Sequence, residues 1–444
     1  MAQTFIASPA IRVCGVTRVP GDKSISHRSV MLGSLAKGIT DVSGFLCGED
    51  ALATMNAFRS MGVKIEHQDE RLRIHGVGRT GLSAPGQTLD LGNSGTAMRL
   101  MMGLLSGQTF DVTLTGDASL RSRPMKRIAD PLSLMGVEII MDQGRAPLSI
   151  RNTVRAGQAI ESIHYPLPMA SAQVKSAILL AGLYADGQTC VTEPAPTRDH
   201  TERMLRGFGY AVETRGNCIC LNGGAELQAT QIDVPADISS AAFFMVAATI
   251  AQDSEIRLSH VGINPTRTGV ISILRAMGAD IEFENERDVG GEPVADILVR
   301  SARLRGIDID EAWVPLAIDE IPVVAIAAAC AQGRTRLSGA EELRVKESDR
   351  IMAIVTALKA LGIDAGETPD GFVIQGRGGK PEGVVFKGAT VQSFDDHRIA
   401  MACAVASLRA EAPIRIEECE NVATSFPGFI EMANLLGMQI EVLT

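Results

Sequence analysis

Aromatic residues are scarce, at 4% of 444, so large rings cannot dominate the interior; the core must come from Ala, Val, Ile, Leu and 18 Met. No apolar run approaches the roughly 20 residues that a bilayer-spanning helix requires, and the longest, residues 241–251, reads as a buried helix. The opening MAQTFIASPAIRVCG has no basic segment followed by an apolar stretch, so no signal peptide is expected and the cytoplasm is the expected location. Eight cysteines are scattered without metal-site spacing, and the seven histidines form no HExxH or paired arrangement. Buried thiols and no metal are the expectation, with Cys218 and Cys220 pointing to one face of a strand-like segment without making a CxxC site.

Nucleotide loops are missing too. No GxxxxGK occurs, and although Gly76, Gly78 and Gly81 spell GxGxxG after a strand-like run, the following LSAPGQ cannot form the helix that would hold a pyrophosphate. The net charge of −10, from 52 acidic and 42 basic residues, argues against a broad nucleic-acid surface.

What the chain has is a sixfold pattern. A helix-like apolar segment ending in a glycine turn and an acidic β-like tail recurs at residues 49–66, 123–138, 199–213, 268–282, 348–364 and 426–441. The turn glycines, Gly62, Gly136, Gly209, Gly278, Gly362 and Gly437, recur every 70 to 84 residues or so, the signature of a repeated supersecondary unit. A second helix-like segment, opening on Ser or Asp, recurs at 24–37, 94–108, 171–187, 239–252, 319–333 and 396–410. Ser and Asp are good N-caps because their side-chain oxygens accept the free amides of a first turn. With short β-branched runs between the helices, six α/β units in two domains is the simplest reading of the length and pattern.

Cations sit where helix dipoles disfavour them. Arg28, Arg99, Lys175 and Arg398 lie near the starts of Ser/Asp-initiated helices, and Arg203 and Arg350 near those of the other type. Each opposes the positive end of its helix by about 0.3–1 kcal/mol, a cost that an anion bound at the helix end would offset. Small, multiply charged ligands such as phosphates and carboxylates fit this placement, and PGDKSISHR, residues 20–28, is its densest example. The start at Ser239 is apolar and the one at Asp319 acidic; Asp319 is either an N-cap or a general base beside a cationic site. RVKESDR, residues 344–350, combines a further acid with three cations.

PGDKSISHR, LGNSGTAMRL, GDASLRSRPM, MASAQVKSA, TRDHTE, NPTRTG, IDEIP, RVKESDR, DDHRIAM and ATSFPGF occur in this order across nearly the whole chain. Together they resemble the 5-enolpyruvylshikimate-3-phosphate synthase family. The resemblance implies a two-domain inside-out α/β barrel of six βαβαββ-type repeats, three per domain. Residues 1–20 plus 236–444 would form one domain and 21–235 the other, with the active site in the cleft between them. It implies enolpyruvyl transfer from phosphoenolpyruvate to the 5-hydroxyl of shikimate 3-phosphate by addition and elimination, with no metal or organic cofactor, no nucleic-acid or membrane partner, and a monomer.

Residue by residue, the resemblance assigns Lys23, Ser24, Arg28, Ser171, Ala172, Gln173, Arg198, Asp319 and Lys346 to shikimate 3-phosphate. It assigns Lys23, Gly95, Arg123, Gln173, Arg350 and Arg398 to phosphoenolpyruvate. Asp319 matches the base for the 5-hydroxyl, and Glu347, with Lys23 as the alternative, the proton donor to the methylene carbon. Thr424 stands where the better-known subgroup has a lysine, Leu100 replaces a proline, and residues 172–175 follow the glyphosate-tolerant-like subgroup; Gly95 is the small residue usual in inhibitor-sensitive enzymes. Two rivals are a UDP-N-acetylglucosamine enolpyruvyl transferase, whose reactive cysteine is missing from residues 116–123, and a six-repeat binding scaffold, which would not explain why the polar residues differ between repeats.

Overall fold

The computed structural model describes residues 3–151 and 159–443. The chain divides into two compact units: Met1–Pro20, Pro235–Asp288 and Glu292–Thr444 form unit 1, and Gly21–Val234 with Val289–Gly291 form unit 2.

Unit 1 holds two four-stranded sheets and one three-stranded sheet. In one of them Thr4–Ser8 runs antiparallel to both Ile414–Glu417 and Gln439–Leu443, tying the two ends of the chain together. Three helices, Ile238–Ile250, Ile321–Cys330 and His397–Ala406, pack on one another as the unit's centre. All side chains of the first two are buried, so small Ala and Ser residues let the helix axes approach. Residues 241–251 lie almost wholly within the first of these helices, as their apolar run led one to expect. Four of the aromatics cluster: Phe243, Phe244, Phe426 and Phe429 meet in edge-on or tilted pairs with ring centroids 5.5–6.3 Å apart.

Unit 2 has three four-stranded sheets and a short parallel pair of strands. Its inner helices are Lys23–Leu35, Gly95–Leu105 and Ala172–Gly182, the second packing on the third. Met31, Met98, Met101 and Met102 are fully buried and supply the adaptable bulk that rings supply elsewhere.

All six turn glycines are left-handed, with φ between 77° and 108°, a region that costs other residues strain. Each follows a helix and precedes a strand, so the recurring signal is a backbone requirement. After the strand Arg71–Val77 comes a turn and irregular chain, not a helix, consistent with discarding GxGxxG.

Some caps differ from expectation. Ser94 and Ser171 do cap their helices, accepting the amides of Ala97 at 3.1 Å and Val174 at 3.4 Å. Asp22, not Ser24, caps the first helix, taking the Ile25 amide at 2.9 Å, and Asp237 rather than Ser239 caps the fourth. Asp319 is not the cap residue: Ile321–Cys330 starts after Glu320, which makes no side-chain cap. An Asx residue two or three positions upstream competes for the same amides, and only the folded backbone decides which one wins.

The cysteine expectation needs correction. Cys190 and Cys220 are directly opposed on antiparallel strands, with Cα atoms 4.1 Å apart, and are joined as a disulfide. Cys14 is exposed. Cys330 and Cys403 are buried thiols, pushed up to about 12 by burial. No helix among the described residues is long and apolar enough to cross a membrane.

Close approach of two unit 2 helices depends on Gly103, where an added Cβ would lie 2.0 Å from the Ala177 carbonyl oxygen. Gly103→Ala is expected to destabilise the protein by about 1–3 kcal/mol, seen as a lower urea midpoint, because a helix must shift. Gly86→Ala, with open space around it, is the control and should stay within about 0.5 kcal/mol. Equal midpoints for the two variants would contradict the packing account.

Candidate active site

The residues singled out by sequence fall into two groups, one in each unit. Lys23, Ser24, Arg28, Gly95, Arg123, Ser171, Ala172, Gln173 and Arg198 belong to unit 2, and Asp319, Lys346, Glu347, Arg350 and Arg398 to unit 1.

In unit 2 the starts of the three inner helices supply the cations and hydroxyls. Lys23 opens the first helix and pairs with Asp50 at the start of the neighbouring helix Glu49–Ser60. Arg28, one turn on, is buried and donates to Thr201 Oγ1 at 2.7 Å, Ser176 Oγ at 3.0 Å and the Ser24 carbonyl at 3.0 Å. These bonds tie its helix to Ala172–Gly182 and His200–Gly207, so Arg28 also organises the unit. His27 is fully buried, with Nδ1 2.8 Å from Thr54 Oγ1 and Nε2 3.4 Å from Ser94 Oγ, the cap of the second helix. Burial, then the nearby Lys23 and Arg28 cations, holds its pKa well below the usual imidazole value, so it is a neutral link between two helix starts.

The second and third helix starts share a network. Arg99 Nη1 donates to Gln173 Oε1 at 2.6 Å, and Gln173 Nε2 donates to Thr96 Oγ1 at 3.2 Å. Arg123 Nη2 donates to Asn93 Oδ1 at 2.5 Å and to Ser119 Oγ at 3.2 Å. Both guanidinium groups flank Gly95: a Cβ there would be 3.2 Å from Arg123 Nη1 and 3.3 Å from Arg99 Nη1. Glycine thus leaves space beside two cations at a helix N-terminus, an arrangement suited to an anion. Ser171 and Ala172 mark the start of the third helix, and half-buried Arg198 lies on the loop before His200–Gly207.

Not every helix-start cation has this character. Lys175 is 1% exposed and lies 3.0 Å from Glu193 and 2.7 Å from Glu202, an internal ion triad. Arg203 is taken by Asp199 at 2.8 Å and by the Gly291 carbonyl at 2.7 Å. For these two, carboxylates within the fold account for the charge, and the anion reading of the sequence pattern does not extend to them.

In unit 1 Arg350 is the hub. It is 1% exposed and reaches Asp396 Oδ2 from Nε at 2.8 Å, Glu347 Oε2 from Nη2 at 2.6 Å and Asp319 Oδ1 from Nη1 at 3.3 Å. Burial alone would lower its pKa, but Asp396, Glu347 and Asp319 hold it above the ordinary arginine value. Burial likewise opposes ionisation of Asp396, but Arg350 and His397 together keep that carboxyl below its usual range. Lys346 Nζ is 3.7 Å from Asp319 Oδ1 and 3.9 Å from Glu342 Oε1; burial pulls its pKa down, partly offset by those two acids. Arg398 donates to the Asp319 carbonyl oxygen at 3.1 Å, with Nη2 4.0 Å from Asp319 Oδ2.

Asp319 is therefore faced by Lys346, Arg350 and Arg398 from the turn between Val314–Ala317 and Ile321–Cys330. The adjacent Glu320 turns the other way, bonding Ser239, with Arg267 3.8 Å off. Arg267 in turn meets Asp237 at 3.0 Å and Ser239 Oγ at 2.7 Å. Two consecutive acids thus face different partners: three cations around Asp319, and Ser239 with the single cation Arg267 beside Glu320.

Sequence reading missed Asp396, Asp50, His27 and Asn93 as members of these networks. Asp396 had a visible signal, since it caps His397–Ala406 by accepting the Arg398 amide at 2.9 Å. Its second task, 0% exposed against Arg350, depends on segments 46 residues apart in sequence. Asp50 and Asn93 had none beyond lying near helix starts. Thr424, in the position noted for a missing lysine, donates its hydroxyl to the Asn421 carbonyl at 2.6 Å.

The profile of the EPSP synthase (3-phosphoshikimate 1-carboxyvinyltransferase) family matches residues 8–432. A 3-phosphoshikimate 1-carboxyvinyltransferase of Methylococcus capsulatus is 63% identical over 440 residues, covering 99% of this chain and 98% of the relative. One from Alkalilimnicola ehrlichii is 61% identical over 439 residues, covering 98% of this chain and 96% of that one. The solved EPSP synthase of Acinetobacter baumannii superposes with a TM-score of 0.88 at 57% identity, each chain covered over 100% of its length. With the same fold along its whole length and this degree of identity, the chain belongs to the EPSP synthase family.

Proposed function

We propose that this protein transfers the enolpyruvyl group of phosphoenolpyruvate to the 5-hydroxyl of shikimate 3-phosphate, releasing phosphate, as the enzyme of the shikimate pathway step that leads to chorismate and aromatic amino acids. The observation that carries this reading is the full-length identity to 3-phosphoshikimate 1-carboxyvinyltransferases. The site chemistry suits it. Both substrates carry a phosphate and a carboxylate, and the chain presents buried or half-buried cations at helix starts.

Ser171, Ala172 and Gln173, at the start of the third unit 2 helix, together with Arg198, are the groups for the shikimate phosphate, backed by free first-turn amides. Lys23, Ser24 and Arg28 serve the same substrate, with Lys23 reaching phosphoenolpyruvate as well. Gly95, Arg123, Gln173, Arg350 and Arg398 serve phosphoenolpyruvate. Each charge-assisted hydrogen bond is worth about 1.5–3 kcal/mol net, so a few suffice to hold a multiply charged substrate. Arg350 already uses four contacts on carboxylates; those to Asp319 and Asp396 Oδ1, both 3.3 Å, are the easiest for an incoming anion to exchange.

Asp319 takes the proton of the 5-hydroxyl as its oxygen bonds to the central carbon of phosphoenolpyruvate. Glu347, or Lys23, delivers a proton to the methylene carbon, whose π electrons form the new C–H bond. Loss of a methyl proton then restores the double bond as the C–O bond to phosphate breaks. Lys346 beside Asp319 lowers the cost of negative charge there and contacts the shikimate ring substituents. Acid and base share the Arg350 guanidinium, so a change of charge on one is felt by the other.

Finer readings rest on the same footing. Six βαβαββ-type repeats in an inside-out barrel, three in residues 21–235 and three in 1–20 plus 236–444, are supported by the six left-handed glycines and by the division of contacts at Pro20 and Pro235. The glyphosate-tolerant-like subgroup is supported by Thr424 and Leu100, and a cytoplasmic monomer is what the family resemblance implies.

Phosphate release from phosphoenolpyruvate should require shikimate 3-phosphate; release with UDP-N-acetylglucosamine instead, or with neither acceptor, would reject the assignment. Asp319→Asn and Glu347→Gln should lower kcat by about 10²–10⁴-fold while changing KM far less. Loss confined to KM would make them binding residues. Gly95→Ala should press on Arg99 and Arg123 and raise KM for phosphoenolpyruvate about tenfold, equivalent to about 1.4 kcal/mol. An unchanged KM would place that substrate elsewhere. The unmodified protein should keep turning over at glyphosate concentrations in the low micromolar range, and steady-state inhibition competitive with phosphoenolpyruvate there would refute the subgroup reading.

A further inference from the structure

One sheet of unit 2 carries a group that the reaction does not use. Its strands lie in the order His164–Pro166, Gln188–Thr192, Cys218–Asn222, Val212–Arg215. Thr189, Val191, Ile219 and Leu221 point into the core. By alternation Cys190, Cys218 and Cys220 stand together on the opposite face. His164 is the direct neighbour of Cys190 in the parallel register, and Cys190 that of Cys220 in the antiparallel one. The three Sγ atoms lie within 4.8 Å of one another. Cys218 Sγ is 3.7 Å from Cys220 Sγ and 3.9 Å from His164 Nε2.

We propose that this face is a binding site for a thiophilic divalent cation such as Zn²⁺, with Cys190, Cys218, Cys220 and His164 Nε2 as ligands when the Cys190–Cys220 bond is reduced. Metal–sulfur bonds of about 2.3 Å in tetrahedral geometry put the ligand atoms about 3.8 Å apart, and about 3.5 Å for a sulfur–nitrogen edge. The Cys218–Cys220 edge already has this size, and the Cys218–His164 edge, at 3.9 Å, is about 0.4 Å too long. The Cys190–Cys220 edge is covalently closed, and His164, outside the three-sulfur group, has to swing towards it to complete the set. Opening the Cys190–Cys220 bond takes two electrons and two protons from a dithiol, which becomes a disulfide; metal binding then displaces the protons of three thiols. Three thiolates and a divalent ion leave one negative charge. Arg215, opposite Cys218 on the outer strand and 2.7 Å from Glu213, is placed to balance it. His164 Nε2, now 2.9 Å from Thr192 Oγ1, would exchange that bond for the metal.

The spacing of these residues in sequence resembles no metal motif, because the ligands come from three strands and only Cys218 and Cys220 are close along the chain. The rival is a plain redox pair, Cys190 and Cys220, with Cys218 as a bystander.

Metal-free full-length protein, reduced with excess dithiol and transferred to an oxygen-free buffer without it, is titrated with Co²⁺ alone. The expected result is one equivalent bound with thiolate charge-transfer absorption and tetrahedral d–d intensity, displacement by Zn²⁺, and release of about three protons per ion. Cys218→Ser and His164→Ala should each weaken binding at least tenfold. Cys47→Ser, which alters the other thiol–imidazole contact, Cys47 Sγ to His67 Nε2 at 3.6 Å, should leave it unchanged. Protein with the disulfide intact should show no such absorption. Absence of the bands in reduced protein, their persistence at full affinity in Cys218→Ser, or their loss in Cys47→Ser would overturn the site. Circular dichroism of each variant separates lost ligation from lost fold.

Discussion

Burying a guanidinium without carboxylates around it is prohibitively costly, and the charged cluster of unit 1 is arranged around that constraint. Arg350 is enclosed by Asp396, Glu347 and Asp319, which come from three separate stretches of chain. Removing one partner of a buried pair typically costs about 3–5 kcal/mol, because the charge left behind stays buried without compensation, so the members of the hub depend on one another. The same contacts hold the proposed acid and base near one another with little freedom to move. Asp396 has no access to solvent and is the most enclosed counterion of Arg350, whereas Asp319 and Glu347 are partly exposed.

Unit 2 meets a related constraint by different means. Its cations stand at the ends of helices whose other faces are buried, so the backbone amides and side-chain charges cannot retreat into water. Small residues let those helix ends come close: Gly103 against Ala177, and Gly95 beside Arg99 and Arg123. Neutral His27 bridges two of the helix starts without adding a charge to them. Scarcity of aromatic residues is compatible with this design, since Ala, Ser, Gly and Met allow tighter and more adaptable helix contacts than rings would.

Much of the scaffold was legible because it is local. The glycine turns, the buried run at residues 241–251 and the caps Ser94 and Ser171 each depend on a few adjacent residues, and each is found as read. Caps at Asp22 and Asp237 were misplaced by two residues, since neighbouring polar side chains compete for one set of amides. The candidate site was legible only in part. Lys175 and Arg203 look like Arg99 and Arg123 in sequence, yet Glu193, Glu202 and Asp199 neutralise the first pair.

By itself the sequence determined the order of helices and strands, the positions where only glycine fits, the absence of a long apolar span and, through its ordered motifs, the family. Those properties follow from side-chain shape and from neighbours along the chain. Tertiary structure decided which charges are already satisfied, why Asp319 and Glu320 face different partners, and that Cys190 and Cys220 meet across two strands. These are pairings between residues tens of positions apart, set by strand register and helix packing. No spacing rule along the chain encodes them.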